Sequence, residues 1–120
     1  MKNTLLVALG GALGSVARYW ASGWIASKAG AAIWGTLFVN VTGSFIIGFI
    51  DASMSSNPLT RLLLMVGVMG GFTTFSAFSL QTLNLFHDNQ TGMALVNVAA
   101  SLLLCLLGVW LGFRAGRAIF

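Results

Sequence analysis

Acidic and reactive side chains are what this sequence most lacks. Its 120 residues include two acidic residues, Asp51 and Asp88, together with one His, one Cys and one Pro, and only 7% of the residues are charged. A typical soluble domain carries about a quarter charged residues. A single cysteine cannot build the disulfide framework of a small secreted scaffold. So few titratable groups provide no nucleophile–base pair and no cluster of metal-ligating side chains, so we do not expect an enzyme.

Hydrophobic residues take the place of the missing charges and make up 58% of the chain. A soluble fold of this size would have to expose much of that apolar surface and would aggregate. Residues 29–50, 62–86 and 89–113 contain no charged residue, and a fourth apolar stretch over about 5–26 is interrupted only by Arg18. Each stretch reaches the roughly 20 residues that a helix needs to cross a bilayer.

The sequence therefore predicts an all-α integral membrane protein with a single domain over residues 1–120. We expect four transmembrane helices, at about 4–26, 33–54, 59–86 and 92–115. Continuous apolar stretches favour helices over a β-barrel, whose strands alternate with a period of two. The connecting loops are short, so any function must lie within the bilayer. At the start of the third helix, Asn57 and Pro58 predict an N-cap followed by proline at the first helical position.

The basic residues are dispersed and form no polybasic block, which argues against a nucleic-acid partner. We interpret them as anchors at the lipid headgroups. Lys2, Arg61, Arg114 and Arg117 fall on one side of the predicted helices and Lys28 on the other, so the positive-inside rule favours cytoplasmic termini by a small excess. We expect an interfacial belt of aromatic side chains around the first loop, formed by Tyr19, Trp20, Trp24 and Trp34.

Small and uncharged polar residues recur at helical spacing within the predicted spans. The second helix carries Thr36, Asn40, Ser44 and Gly48, and the fourth carries Asn97, Ser101, Cys105, Gly108 and Gly112. Glycines recur every four residues at Gly10/Gly14, Gly67/Gly71 and Gly108/Gly112/Gly116. We interpret most of these residues as helix–helix contacts, because small residues permit close approach and polar ones hydrogen-bond across the interface. The role of Asn40 stays open between a hydrogen bond to a partner helix and a contact with a hydrated ion path. Its amide needs one of the two, because an unsatisfied amide at membrane depth is costly.

The third helix contains a sequence that disfavours helical structure at its centre. Two glycines and two threonines follow one another from Gly70 to Thr74 around Phe72, and Phe75 and Phe78 lie just beyond. Adjacent glycines followed by threonines make a poor helix interior, so we expect a break near Gly70–Phe75. Such a break is tolerated at membrane depth only where buried protein or a cavity satisfies the backbone. Freed carbonyls there can coordinate a cation, and exposed N–H and hydroxyl groups can face an anion.

Three motifs at these positions resemble those of the Fluc-type fluoride channels, the CrcB family. The first is Gly10-Gly11-x-x-Gly14-x-x-x-Arg18-Tyr19. The second is Gly35-Thr36-Leu37-x-x-Asn40-x-x-Gly43-Ser44-x-x-x-Gly48, and the third is the run from Gly70 to Ser79. The resemblance covers essentially the whole chain, and the third motif is its most specific part.

The resemblance implies an antiparallel, dual-topology homodimer with two fluoride pores in a bacterial or archaeal inner membrane. It implies passive fluoride efflux that lowers cytoplasmic fluoride. The pore residues would be Asn40, Phe75, Ser76, Phe78 and Ser79. A structural, non-transported sodium ion would be held by the main-chain carbonyls of Gly70 and Thr73. Arg18, near a helix end, could attract anions into a vestibule or equally extend to the headgroups.

Three positions differ from the family pattern: Ala77 stands where Thr is common, Gln81 where Glu is frequent, and Asn97 where an aromatic residue or His is usual. Two other functions fit the same length and helix count. A small multidrug or proton-coupled exporter would need an intramembrane carboxylate, whereas Asp51 and Asp88 fall at or beyond predicted helix ends. A structural subunit would use its polar stripes for packing only.

Overall fold

A computed structural model describes residues 1–53 and 57–120, and those residues form helices and no strand. Helix α1 spans Lys2–Ala29 and α2 spans Ala32–Ser53. Three contiguous segments form α3, namely Pro58–Arg61, the π-helical Leu62–Met69 and Gly70–Phe72. Helices α4, Phe75–His87, and α5, Thr91–Ile119, complete the chain. The predicted all-helical class is confirmed, and the predicted end of the second helix at residue 54 lies outside the described residues.

Among residues 1–53 and 57–120, three helical units are long and apolar enough to cross a membrane: Ala32–Ser53, Pro58–His87, which joins α3 and α4, and Thr91–Ile119. The chain is therefore a membrane protein, as predicted. Helix α1 has 28 residues, so it is also long enough to span. Its lower apolar content, diluted by Arg18 and by small residues, keeps it outside that group of three.

Glycines set how closely the long helices approach. Helix α2 packs along α5 more extensively than any other helix pair, and a Cβ at Gly112 would collide with the Phe45 carbonyl. Helix α1 packs on α3 in the same way, where a Cβ at Gly10 would lie 2.6 Å from the Leu63 carbonyl oxygen. The interpretation of these four-residue glycine repeats as close helix contacts is confirmed. Between the helices lies a small core of Val39, Ile50, Met69 and Phe72.

The beginning of α3 follows the predicted capping pattern. Asn57 Oδ1 accepts hydrogen bonds from the backbone N–H groups of Leu59, at 3.0 Å, and Thr60, at 3.3 Å. Pro58 occupies the first turn, where a missing N–H costs nothing because that donor has no helical partner. The amide cap and the proline thus fix the entry of the chain into α3.

The predicted break near Gly70–Phe75 lies at Thr73 and Thr74. Both residues are extended, with φ −87° and ψ 155° at Thr73 and φ −150° and ψ 119° at Thr74. The helix resumes at Phe75, capped by Thr74, whose Oγ1 accepts from the Ala77 N–H at 3.2 Å. The backbone is therefore opened near the middle of the 30-residue unit Pro58–His87, and the freed backbone groups must find other partners.

Candidate functional site

A cleft of about 410 Å³ opens beside the break between α3 and α4. Its walls come from α2, α3, α4 and α5 and from the break itself. Residues that line it include Asn40, Gly43, Ser44, Met69, Gly70, Thr73, Thr74, Phe75, Phe78, Ser101 and Cys105. The structure thus brings together five residues that the sequence analysis assigned to a site, namely Asn40, Gly70, Thr73, Phe75 and Phe78.

Asn40 bonds to the backbone of the break with both ends of its amide. Its Nδ2 donates to the Thr74 carbonyl at 2.9 Å, and its Oδ1 accepts from the Thr74 N–H at 2.8 Å. The pairing fixes the amide plane and occupies its oxygen. An amide nitrogen carries two hydrogens, and the second takes part in no hydrogen bond among the described residues. Towards the cleft, Asn40 therefore offers a donor.

The break also leaves two main-chain carbonyls without their helical partners. In a continuous helix, the Thr74 N–H would bond to the Gly70 carbonyl, and the Ala77 N–H to the Thr73 carbonyl. Here Thr74 N–H donates to Asn40, and Ala77 N–H donates to the Thr74 hydroxyl. The carbonyls of Gly70 and Thr73 have therefore lost their helical partners. Unwound carbonyls of this kind are suitable ligands for a hard monovalent cation.

Small side chains make room for the break. A Cβ at Gly43 of α2 would collide with the methyl group of Thr73 and lie 3.3 Å from the Phe72 ring. Thr73 in turn bonds back into α3, where its hydroxyl and its N–H both reach the Met69 carbonyl, at 2.9 and 3.0 Å. Gly43 thus lets the end of α3 lie directly against α2, within reach of Asn40.

Two phenylalanine rings, those of Phe75 and Phe78, lie at the start of α4 and line the cleft. The ring centroids of Phe75 and Phe78 are 5.2 Å apart, with the planes tilted by 53°. Phe78 is buried, with 8% exposure, whereas 73% of Phe75 is exposed. The edge of an aromatic ring is electropositive. The tilted pair can therefore present ring edges to an anion in the cleft.

The remaining predicted site residues lie outside the cleft lining. Ser79 Oγ donates to the Phe75 carbonyl at 2.9 Å, and Ser76 Oγ lies 3.1 Å from Thr74 Oγ1. Both serines are exposed on α4. Arg18 lies on α1, where its carbonyl accepts from Ser22 Oγ at 2.6 Å. Their proposed roles in a polar path and a vestibule stay predictions.

The sequence analysis assigned the small and polar residues of α5, at positions 97, 101, 105, 108 and 112, to helix packing only. The structure places two of these residues, Ser101 and Cys105, in the cleft wall. Their spacing of four was visible, but which side of α5 faces the break was not. Two polar residues outside the cleft lining, Gln81 of α4 and Asn97 of α5, form hydrogen bonds to neighbouring helices.

The lining of the cleft, as far as residues 1–53 and 57–120 form it, contains no carboxylate. Asp51 pairs with Arg61 at 2.5 Å, where α2 ends and α3 begins, and Asp88 follows the end of α4. Among the described residues, neither carboxylate lines the cleft, and its wall contains no Lys, Arg or His. The site therefore offers neutral donors, carbonyl oxygens and ring edges rather than charged groups.

Residues 5–113 match the family model described as CrcB-like protein, Camphor Resistance (CrcB). The chain belongs to the CrcB family. A relative from Opitutus terrae is 55% identical over 96% of this chain and 92% of its own length. Relatives from Rhizobium meliloti, over 99% of both chains, and from Thermus thermophilus, over 99% of this chain and 97% of its own, are each 48% identical. All three are named fluoride-specific ion channel FluC.

Membership of the CrcB family confirms the resemblance drawn from the three motifs. The relatives carry the name of an ion channel and not that of an enzyme or an exporter. Similarity extends over nearly the full chain, so α1 to α5 and the break between α3 and α4 all fall within the matched region.

Proposed function

We propose that this protein is a fluoride channel that releases fluoride passively and so lowers its concentration in the cytoplasm. The observation that carries the proposal is the meeting of Asn40 with the Phe75–Phe78 ring pair in the cleft beside the helix break. It occurs in a chain that is 55% identical to a protein named fluoride-specific ion channel FluC. The protein is not an enzyme.

The lining suits an anion that must shed water and still move on. Fluoride is small and strongly hydrated, so it needs replacement donors and positive ring edges as it dehydrates. Asn40 supplies an amide hydrogen, and its oxygen, which would repel an anion, is occupied by Thr74 N–H. Hydroxyls of Ser76 and Ser79 would continue the polar path along α4. Conduction needs several weak sites, and a lining without full charges provides them.

The proposal includes an antiparallel dimer of four-span subunits, in which α1, α2, the α3–α4 pair and α5 each cross the membrane. Phe75 is 73% exposed and Gly70 is exposed at the mouth of the cleft, so a second copy could complete the wall. The small charge bias between the two sides is compatible with insertion in both orientations. Labelling of single cysteines engineered into the loops should reach each site from both sides of the membrane, and one-sided labelling at every site would rule out dual insertion.

A bound sodium ion forms part of the same proposal. The carbonyls of Gly70 and Thr73 have lost their helical partners, and they lie in the lining of the cleft mouth that a second copy would cover. When bound, sodium would place a positive charge against the negative ends of these carbonyl dipoles. The residues fit a structural ion that is not transported. Arg18 is proposed to draw anions towards the pore from the membrane surface.

Fluoride efflux from proteoliposomes tests the function. Vesicles of bacterial or archaeal membrane lipids that contain the purified protein should release fluoride down its gradient with no proton gradient imposed. Exchange of a drug for protons would instead support the small exporter, and absence of both fluxes would support a structural subunit. Empty liposomes and heat-denatured protein provide the leak controls.

A further inference from the structure

Helix α4 carries both phenylalanines but is the most thinly packed of the helices that form the cleft. Its contacts with α2 and α5 are far less extensive than those between α2 and α5 themselves. Leu80, Leu83 and Phe86 on its outer side are exposed by 59%, 49% and 42%. The break at Thr73 and Thr74 also removes the continuous backbone bonds that would tie α4 to α3. Within one copy of the chain, apolar packing therefore holds α4 less firmly than it holds the other helices of the cleft.

Two consecutive residues of α4 form hydrogen bonds to two different helices. Gln81 Nε2 donates to Thr36 Oγ1 of α2 at 2.8 Å. Asn97 Nδ2 of α5 donates to Thr82 Oγ1 at 2.9 Å, and both of these residues are buried. These bonds join residues 45 and 15 positions apart in the chain, so they hold separate helices together.

The bond from Asn97 continues to the turn that bears Phe78. Thr82 Oγ1 accepts from Asn97 and donates in turn to the Phe78 carbonyl at 2.8 Å. A single hydroxyl thus links the amide on α5 to the backbone of a phenylalanine in the cleft. Phe78 has 8% exposure, so its ring has little room to adjust if that turn moves.

We propose that Asn97 is a positioning residue: through Thr82 it fixes the rotation and height of α4, and with them the ring of Phe78. This inference rests on the proposed fluoride channel and adds to it a residue that does not itself touch the anion. Gln81 provides a second point of attachment through Nε2, whereas its Oε1 is buried without a hydrogen-bond partner among the described residues.

Directional bonds are suited to this task within a bilayer. Apolar side chains that face lipid allow a helix to slide or rotate at little cost, because lipid tails are as apolar as leucine. Breaking a buried hydrogen bond leaves both partners unsatisfied. The Asn97–Thr82 bond therefore penalises displacement of α4, whereas the packing of its exposed outer side does not.

Substitution of Thr82 separates this role from packing. Thr82→Val keeps the shape of the side chain and removes the hydroxyl, and Thr82→Ser keeps the hydroxyl. We expect fluoride flux per folded channel to fall about tenfold in Thr82→Val, less than the roughly hundredfold loss that a 1 Å misplacement can cause in a preorganised site. Flux through Thr82→Ser should stay near that of the wild type. The ratio of fluoride to chloride permeability should fall in Thr82→Val and stay unchanged in Thr82→Ser.

A double-mutant cycle with Asn97→Leu tests whether the two residues act as one unit. Asn97→Leu should reduce flux as Thr82→Val does, and the double variant should be no worse than either. Hydrogen exchange in detergent should rise in α4 for each variant and stay unchanged in α2. This measurement examines the position of α4 in a folded protein whether or not the channel conducts.

The outcomes separate the two proposals. A wild-type chain that carries no fluoride overturns the proposed function. A conducting wild type overturns the positioning role if Thr82→Val leaves flux, selectivity and α4 exchange unchanged. Multiplicative losses in the double variant, or lower thermal stability with normal flux per folded channel, would likewise reduce the Asn97–Thr82 bond to ordinary packing.

Discussion

Complete replacement of sodium by a large organic cation is expected to abolish fluoride flux through the reconstituted protein. The carbonyls of Gly70 and Thr73 have lost their helical partners, since Thr74 N–H bonds to Asn40 and Ala77 N–H bonds to the Thr74 hydroxyl. Carbonyl oxygens without a partner are costly at membrane depth, and a bound cation would satisfy them. Without that ion, the two ends of the break would rearrange, and the phenylalanines that follow it would move.

A sodium gradient should not be needed, because the proposed ion would be structural and would not be transported. Sodium at equal concentration on both sides should support full flux, and readdition of sodium to a depleted sample should restore it. Fluoride efflux is measured with an ion-selective electrode after dilution of loaded proteoliposomes. Normal flux in sodium-free medium would contradict the cation site while leaving the anion path intact.

Replacement of Phe75 or Phe78 by isoleucine is expected to lower fluoride flux strongly in a protein that still folds. Isoleucine keeps an apolar side chain and much of the volume, so packing should suffer only moderately. It removes the positive ring edge and with it the proposed contact with the anion. Loss of one such contact corresponds to about a tenfold reduction if it stabilises the ion by about 1.4 kcal/mol. Flux per folded channel is the quantity to compare.

Phe86 provides a matched control for these variants. It lies on the same helix, is 42% exposed and is not part of the cleft lining. Phe86→Ile should leave flux per folded channel unchanged. If Phe75→Ile and Phe78→Ile lower thermal stability but conduct normally, the rings serve packing and not the anion.

Much of the architecture could be predicted because it depends on local sequence. Uninterrupted apolar stretches predict helices of spanning length, Asn57 and Pro58 predict the start of α3, and the two glycines and two threonines before Phe75 predict the break. The glycine repeats predict close helix contacts, as found between Gly112 and Phe45. Each of these signals lies within one continuous stretch of the sequence.

The connections between helices could not be predicted in this way. Asn40 bonds to Thr74, 34 positions away, and its spacing on α2 left a partner helix and an ion path equally open. The structure shows that it meets a partner, the broken backbone, and still faces the cleft. Ser101 and Cys105 had the spacing of a packing stripe, but the packing of α5 along α2 places them in the cleft wall. Helical periodicity indicates which residues share a face and not what that face meets.

The reversal potential of the current through purified protein in a planar bilayer tests most directly whether the chain is a passive fluoride channel. With sodium equal on both sides and a tenfold fluoride gradient balanced by a large impermeant anion, we expect a current that reverses about 59 mV from zero, at the fluoride equilibrium potential. It should persist without a proton gradient. A reversal at zero, a reversal that follows the proton gradient, or no current from folded protein would contradict a passive fluoride channel.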